Sequence, residues 1–260
     1  MSEKNREGKR TARERLAEER ERQKRSDKRR RTLLVSAAVV GVLALAAVGG
    51  LLAANAGDDD KKKDASGPVV APKGATDEDG PAIRHGKADA KSTLTVWEDF
   101  RCPACKQFED GYRSTVNDLV DKGLLKVDYH LATLIDDNMG GHGSLRAANA
   151  AACAQDAGKF PAYHDVLFQN QPPEPDDAFG DNDKLIELAG KVDGLTTAAF
   201  KKCVTDGTHS SWVVKSDKAF EDAGLRGTPT VLLDGKNIFE DQKNPLTPQK
   251  LKQKVEQAAR

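Results

Sequence analysis

Cys102 and Cys105, separated by Pro103 and Ala104, are the residues whose types and spacing most directly suggest chemistry in this 260-residue chain. Two thiols this close can form and reopen a disulfide, a two-electron exchange that proceeds by thiolate attack on sulfur. The flanking pattern favours such a role. Apolar residues alternate through Ser92–Glu98, which predicts a strand, and recur at helical spacing through residues 105–121 (Phe108, Tyr112, Val116, Leu119, Val120) until Gly123 stops the helix. A cysteine at a helix N-terminus meets unpaired amides and the positive end of the helix dipole, both of which favour its thiolate. Pro103 costs nothing there, because its missing N–H would have had no partner. Cys102 is therefore expected as the exposed nucleophile and Cys105 as the buried resolving thiol. Two other readings exist for a Cys-x-x-Cys, half of a zinc site and an inert structural bridge. The remaining cysteines, Cys153 and Cys203, are isolated and no His-x-x-x-His follows, so no metal is expected.

A second feature lies far downstream. Gly227-Thr228-Pro229-Thr230 immediately precedes a predicted hairpin, residues 230–233 and 236–239 around Asp234-Gly235. A proline heading a strand can be a passive edge residue. With a redox pair upstream, a cis-proline loop facing the cysteines is the better expectation, and Thr228 and Pro229 join Pro103 and Ala104 in the active-site loops.

These elements need a scaffold. Residues 125–135 read as a second strand, and residues 143–224 as a helical block interrupted by Gln171-Pro172-Pro173-Glu174-Pro175. Residues 248–259 read as a closing helix. The order of strand, helix, strand, helical block, hairpin and helix is that of an α/β sheet of thioredoxin type with an inserted helical domain. This domain is expected over residues 81–260, long enough for one core.

Upstream, residues 1–31 carry fourteen Lys/Arg against seven Asp/Glu, while the whole chain is neutral, so the remainder is net acidic. An acidic body argues against nucleic-acid binding. Residues 32–56 are free of charge and almost wholly apolar, long enough to cross a bilayer, which needs about 20 residues. A single transmembrane helix is expected there. A signal peptide cleaved near residues 53–56 is the rival, although its apolar region is usually shorter and nearer the start. Lys28-Arg29-Arg30-Arg31 on one flank and Asp58-Asp59-Asp60 on the other predict a cytoplasmic N-terminus and an extracytoplasmic body. Residues 57–80, rich in Asp, Lys, Gly and Pro, read as a flexible linker.

Residues 85–90 and 94–105, together with Gly227-Thr228-Pro229-Thr230, resemble the DsbA-like family of thioredoxin-fold proteins, and in particular the membrane-tethered forms of Gram-positive actinobacteria. The resemblance spans residues 82–258. It implies a helical domain inserted in the thioredoxin fold and substrate held next to the cis-proline. It also implies exported proteins with free thiols as substrates, and reoxidation by a quinone-linked membrane partner of the DsbB or vitamin K epoxide reductase type. Two positions depart from the family pattern. Ala104 stands where such oxidases often carry a histidine that stabilises the thiolate, and Val96 stands where many relatives keep a buried acid. Glu98, on the same strand face as Val96, is a candidate proton carrier, with a surface residue as the equal alternative.

Cys153 and Cys203 fall on helices of the predicted insertion. In an oxidising compartment a structural disulfide between them is expected, with independent buried thiols as the alternative. His85, His130, His142, His164 and His209 show no ligand spacing and are expected in loops or on the surface. Phe108, Tyr112, Phe160, Tyr163 and Phe168 are expected in the core. No phosphate-binding Gly-rich loop is present, so no nucleotide or other cofactor is expected. The leading function is an extracytoplasmic dithiol oxidase. A reductase or isomerase of the same fold and a tethered, non-catalytic binding module are the alternatives.

Overall fold

The computed structural model describes residues 67–77, 80–238 and 246–259. The expected cytoplasmic tail and membrane anchor (1–31 and 32–56) lie outside these residues, as does half of the linker (57–66 and 78–79). Among the described residues, no helix is long and apolar enough to cross a membrane.

Six strands form one sheet in the order β1-β2-β4-β3-β5-β6: β1 (Ala75–Thr76), β2 (Ala82–His85), β3 (Ser92–Glu98), β4 (Leu125–Leu131), β5 (Thr230–Leu233) and β6 (Lys236–Asn237). β3 and β4 are parallel, so the chain must cross over between them, and α1 (Pro103–Asp121) makes that crossing. The expected helix thus begins two residues early, with Cys102 at its N-cap and Pro103 in its first turn. Phe108, Val116, Leu119 and Val120 form its buried stripe, and Gly123, at φ 70°, turns the chain into β4.

The second strand is shorter than expected. Leu134 and Ile135 belong to a new helix, α2 (Leu134–Met139), because Asp99 accepts the Ile135 N–H and so starts that turn. The helical insertion continues through α3 (Gly143–Asp156), α4 (Phe160–Gln169), α5 (Asn182–Ala189), α6 (Ala198–Asp206) and α7 (Ser210–Asp222). Almost all of α3 is buried, and its alanines let α4, α6 and α7 approach closely. A disulfide joins Cys153 of α3 to Cys203 of α6 across 50 residues. α8 (Pro248–Ala258) packs against α1.

The hairpin turn forms as read, with Asp234 and Gly235 both at positive φ, the conformation a two-residue turn requires, but its second strand covers Lys236–Asn237 and not the whole of 236–239 among the described residues. β1 and β2 are not legible in the sequence. They pair at the sheet edge, and residues 68–73, expected in the linker, are hydrogen-bonded to the insertion. Ser211 Oγ donates to the Pro68 carbonyl, the Lys73 N–H donates to Asp156, and His209 Nδ1 lies 2.8 Å from the Val70 carbonyl.

Candidate active site

The carboxyl end of β3 delivers the chain to the cysteines. β5 runs antiparallel beside it with Thr230 opposite Trp97, so the loop heading β5 must lie against the start of α1. That loop carries a cis Thr228-Pro229 peptide. The Cys102 thiol donates to the Thr228 carbonyl at 3.2 Å, which brings together the two features separated by 126 residues in sequence. Both cysteines are in the free thiol form. Cys102 is less open than expected, with 6% of its surface accessible against 0% for Cys105. Pro103 is half-buried and Ala104 exposed, so position 104 offers no side chain to the thiolate.

The two sulfurs are electrostatically unequal. The Cys105 thiol, donating to Cys102, lowers the Cys102 pKa most; burial opposes this, and the Thr228 side chain and the amides of Cys105 and Ala104 add to the lowering, leaving it at about 6. Cys105 is pushed well above the ordinary thiol range, chiefly by burial and then by the neighbouring Cys102. The arrangement is a thiolate nucleophile backed by a neutral thiol.

Beneath the pair lies a cluster that sequence reading found only in part. Glu98 is fully buried, not on the surface, and its Oε1 is 2.8 Å from His164 Nε2 of α4. Glu109 of α1 is also buried and completes the group. The rings of Phe100, Tyr129, Phe160 and Phe168 surround His164. His164 remains protonated to about pH 10. Burial, the largest influence, would lower its pKa, but Glu98, Asp165 and Glu109 together overcome this. Glu109 is raised to about 8, mainly by burial. His130, on β4, is buried as well, so it and His164 leave the loop or surface positions expected for them, whereas His209, though buried, keeps its place in the turn before α7. Their burial depends on partners far away in sequence, which spacing cannot reveal. The one available signal for Glu109 was a lone acid on the apolar stripe of α1.

A polar clamp fixes the loop that carries the cysteines. Gln171 Nε2 donates to the carbonyls of Phe100 (2.8 Å) and Cys102 (3.0 Å), and Lys106 Nζ donates to the Phe168 carbonyl. Arg101, only 2% exposed, pairs with Asp136 at 2.6 Å and Asp177 at 3.0 Å and donates to the carbonyls of Gly140 and Glu174. Asp177 fills a recess in which a Cβ on Gly141, Gly143 or Gly180 would approach its carboxylate to about 2.5 Å. The Gln-Pro-Pro-Glu-Pro break in the helical block is therefore the segment laid over the redox loop.

Among the described residues, two of the three groups that could ligate an ion are otherwise engaged. The sulfurs of Cys153 and Cys203 are bonded to each other, and Glu98 is bonded to His164. The Asp137, Asp217 and Glu221 group sits among solvent-facing positions.

A cysteine pair at the start of α1, facing a cis-proline on a mixed sheet, defines a thioredoxin-fold centre for disulfide exchange. Residues 78–257 match the family profile described as thioredoxin, and the chain belongs to that family as a DsbA-like thiol–disulfide oxidoreductase. It is 28% identical over 156 residues to disulfide bond formation protein D of Bacillus subtilis, covering 59% of this chain and 68% of that one. Reduced DsbG of Mycobacterium tuberculosis superposes with a TM-score of 0.59 at 31% identity, covering 68% of this chain and 87% of that one. Reduced DsbA of the same organism gives 0.59 at 30%, covering 68% and 92%.

Proposed function

We propose that this protein is an extracytoplasmic dithiol oxidase, anchored through residues 32–56, that donates the Cys102–Cys105 disulfide to exported proteins. The observation that carries the direction of transfer is the inequality of the two sulfurs. A Cys102 thiolate held at about 6 stabilises the reduced couple, and a couple whose reduced form is stabilised is an oxidant. Catalysis would begin when a substrate thiolate attacks Cys102, forming a mixed disulfide beside Thr228 and Pro229. A second substrate thiol would then release the dithiol enzyme, with Cys105 as the resolving thiol of the reverse step. A membrane reoxidase of the DsbB or vitamin K epoxide reductase type would restore the disulfide. The basic residues 28–31 and acidic residues 58–60 support the proposed topology.

Equilibrating the protein with glutathione and measuring the Cys102–Cys105 couple tests this reading. An oxidase should lie well above thioredoxin, toward the DsbA value of about −120 mV. A potential near about −270 mV would refute it and favour a reductase or isomerase.

A further inference from the structure

The redox loop is gripped from two sides, and one grip comes from the insertion. Asp99 holds the N–H groups: its Oδ1 accepts from Arg101 at 2.7 Å and its backbone carbonyl accepts from Cys102 at 3.0 Å. Gln171 holds the carbonyls, with Nε2 donating to Phe100 at 2.8 Å and to Cys102 at 3.0 Å. The peptide groups on both sides of the Cys102 Cα are therefore fixed, and Cys102 sits at φ −73° and ψ 118°. These are the dihedrals of an N-cap residue, whose carbonyl starts the helix while its side chain turns back to the amides of the second and third helical residues. Cys102 fills that role. Its carbonyl accepts the Lys106 N–H at 3.2 Å, and the amides of Ala104 and Cys105 bear on its sulfur.

The grip closes on itself. Lys106 Nζ donates to the Phe168 carbonyl at 2.8 Å, and the same oxygen accepts the Gln171 N–H at 3.3 Å. Four hydrogen bonds thus run in a ring from Cys102 to Gln171, Phe168, Lys106 and back, joining the redox helix to the insertion. Local sequence explains how Gln171 comes to turn over the loop. α4 ends at Gln169, and Pro172 disfavours the helical conformation in the residue before it.

We propose that Gln171 is a positioning residue for disulfide exchange: by pinning the Cys102 carbonyl it keeps the Cys102 sulfur on the amides that open α1, and so ties the reactivity of the couple to the seating of the insertion. Gln171 touches no reacting atom and acts through the Cys102 backbone. Without its amide the ψ of Cys102 relaxes and the sulfur drifts from the cap amides. Burial is then less opposed and favours the thiol over the thiolate. Ala104 is exposed and offers no substitute donor from its side chain, so the backbone cap carries more of the load. The cap serves both directions of exchange, since Cys102 leaves a mixed disulfide as a thiolate in one and attacks as a thiolate in the other.

The test is the rate of iodoacetamide alkylation of Cys102 against pH in the reduced full-length protein, with urea unfolding measured alongside. The wild-type midpoint lies at about 6. Q171M keeps the side-chain length, removes the donor and should move the midpoint to about 6.5 or above, about threefold in the acid constant. Q171N keeps an amide one methylene short of the two carbonyls and should shift it in the same direction. N170A alters the neighbouring residue, whose side chain bonds the Val166 carbonyl and not the redox loop, and should keep the wild-type midpoint. At pH 7 the equilibrium constant for oxidising glutathione should fall about two- to threefold in Q171M, because the thiolate then stabilises the reduced couple less. A residue that only braced the fold would lower the urea midpoint and leave the alkylation midpoint in place. A wild-type alkylation midpoint in Q171M, or in Q171N if Q171M does not fold, would overturn the proposal, as would an equal shift in N170A. The proposal rests on the redox reading of the cysteine pair but not on its direction. A reducing wild-type potential would defeat the oxidase assignment and leave the difference between wild type and Q171M readable.

Discussion

Replacing Cys105 with alanine should raise the pKa of Cys102. Of the contacts that lower it, the hydrogen bond from the Cys105 thiol is the strongest, ahead of Thr228 and the amides of Cys105 and Ala104, while burial opposes them all. With the midpoint at about 6, thiolate outnumbers thiol roughly tenfold at pH 7. Removing the leading favourable contact leaves the unfavourable burial in place, so the midpoint should rise by at least about one unit, or about 1.4 kcal/mol. Thiolate at pH 7 should then fall from about nine tenths to about half or less. Absorbance of the thiolate at about 240 nm, followed against pH, reads this directly, and iodoacetamide alkylation at pH 7 should slow at least about twofold in parallel. The assay is clean because Cys153 and Cys203 are bonded to each other and do not titrate. A midpoint in Cys105→Ala equal to or below the parent value would refute the claim that the partner thiol, and not only the helix N-terminus, makes Cys102 reactive.

Three further outcomes follow from the same geometry. The folded-state pKa of Cys102 is depressed below its unfolded value, so its stabilisation of the reduced protein should be complete above about pH 9 and vanish as pH falls through about 6. Denaturation of reduced wild type against Cys102→Ser should show a gap of about 1 kcal/mol at pH 7 that grows toward pH 9; a gap independent of pH would contradict the linkage. Arg101→Leu strands the buried Asp136 carboxylate and should cost about 3–5 kcal/mol in urea unfolding, with a loss under about 1 kcal/mol counting against the clamp. Removing the 50-residue crosslink in Cys153→Ala/Cys203→Ala should cost about 3–4 kcal/mol while sparing disulfide exchange at Cys102, and loss of exchange in a folded variant would show that the bridge does more than brace the insertion.

Much of the framework was legible because local chemistry determines it. The alternation in Ser92–Glu98 reflects a strand with one face in the core, and the strand forms over those same residues. Pro103 marks the first turn of α1, and Asp234-Gly235 marks a turn that needs positive φ. The boundary at residue 131 was misread because Leu134 and Ile135 suit a strand as readily as a helix. The Asp99 carboxylate, accepting from Ile135, favours the helix. β1 and β2 escaped notice because strands of two and four residues have too few positions to show a period.

By itself the sequence determined the Cys-Pro-Ala-Cys pair, the helix that carries it and the proline loop far downstream, since each is written in residues whose backbone or thiol chemistry is local. Only the tertiary structure decided that Thr228 meets the Cys102 sulfur, that Gln171 and Arg101 clamp the redox loop, and that Glu98 is buried against His164. These contacts join residues from 35 to 126 positions apart, and burial makes their charges consequential. Neither sequence separation nor dielectric environment is a property of any one stretch of chain.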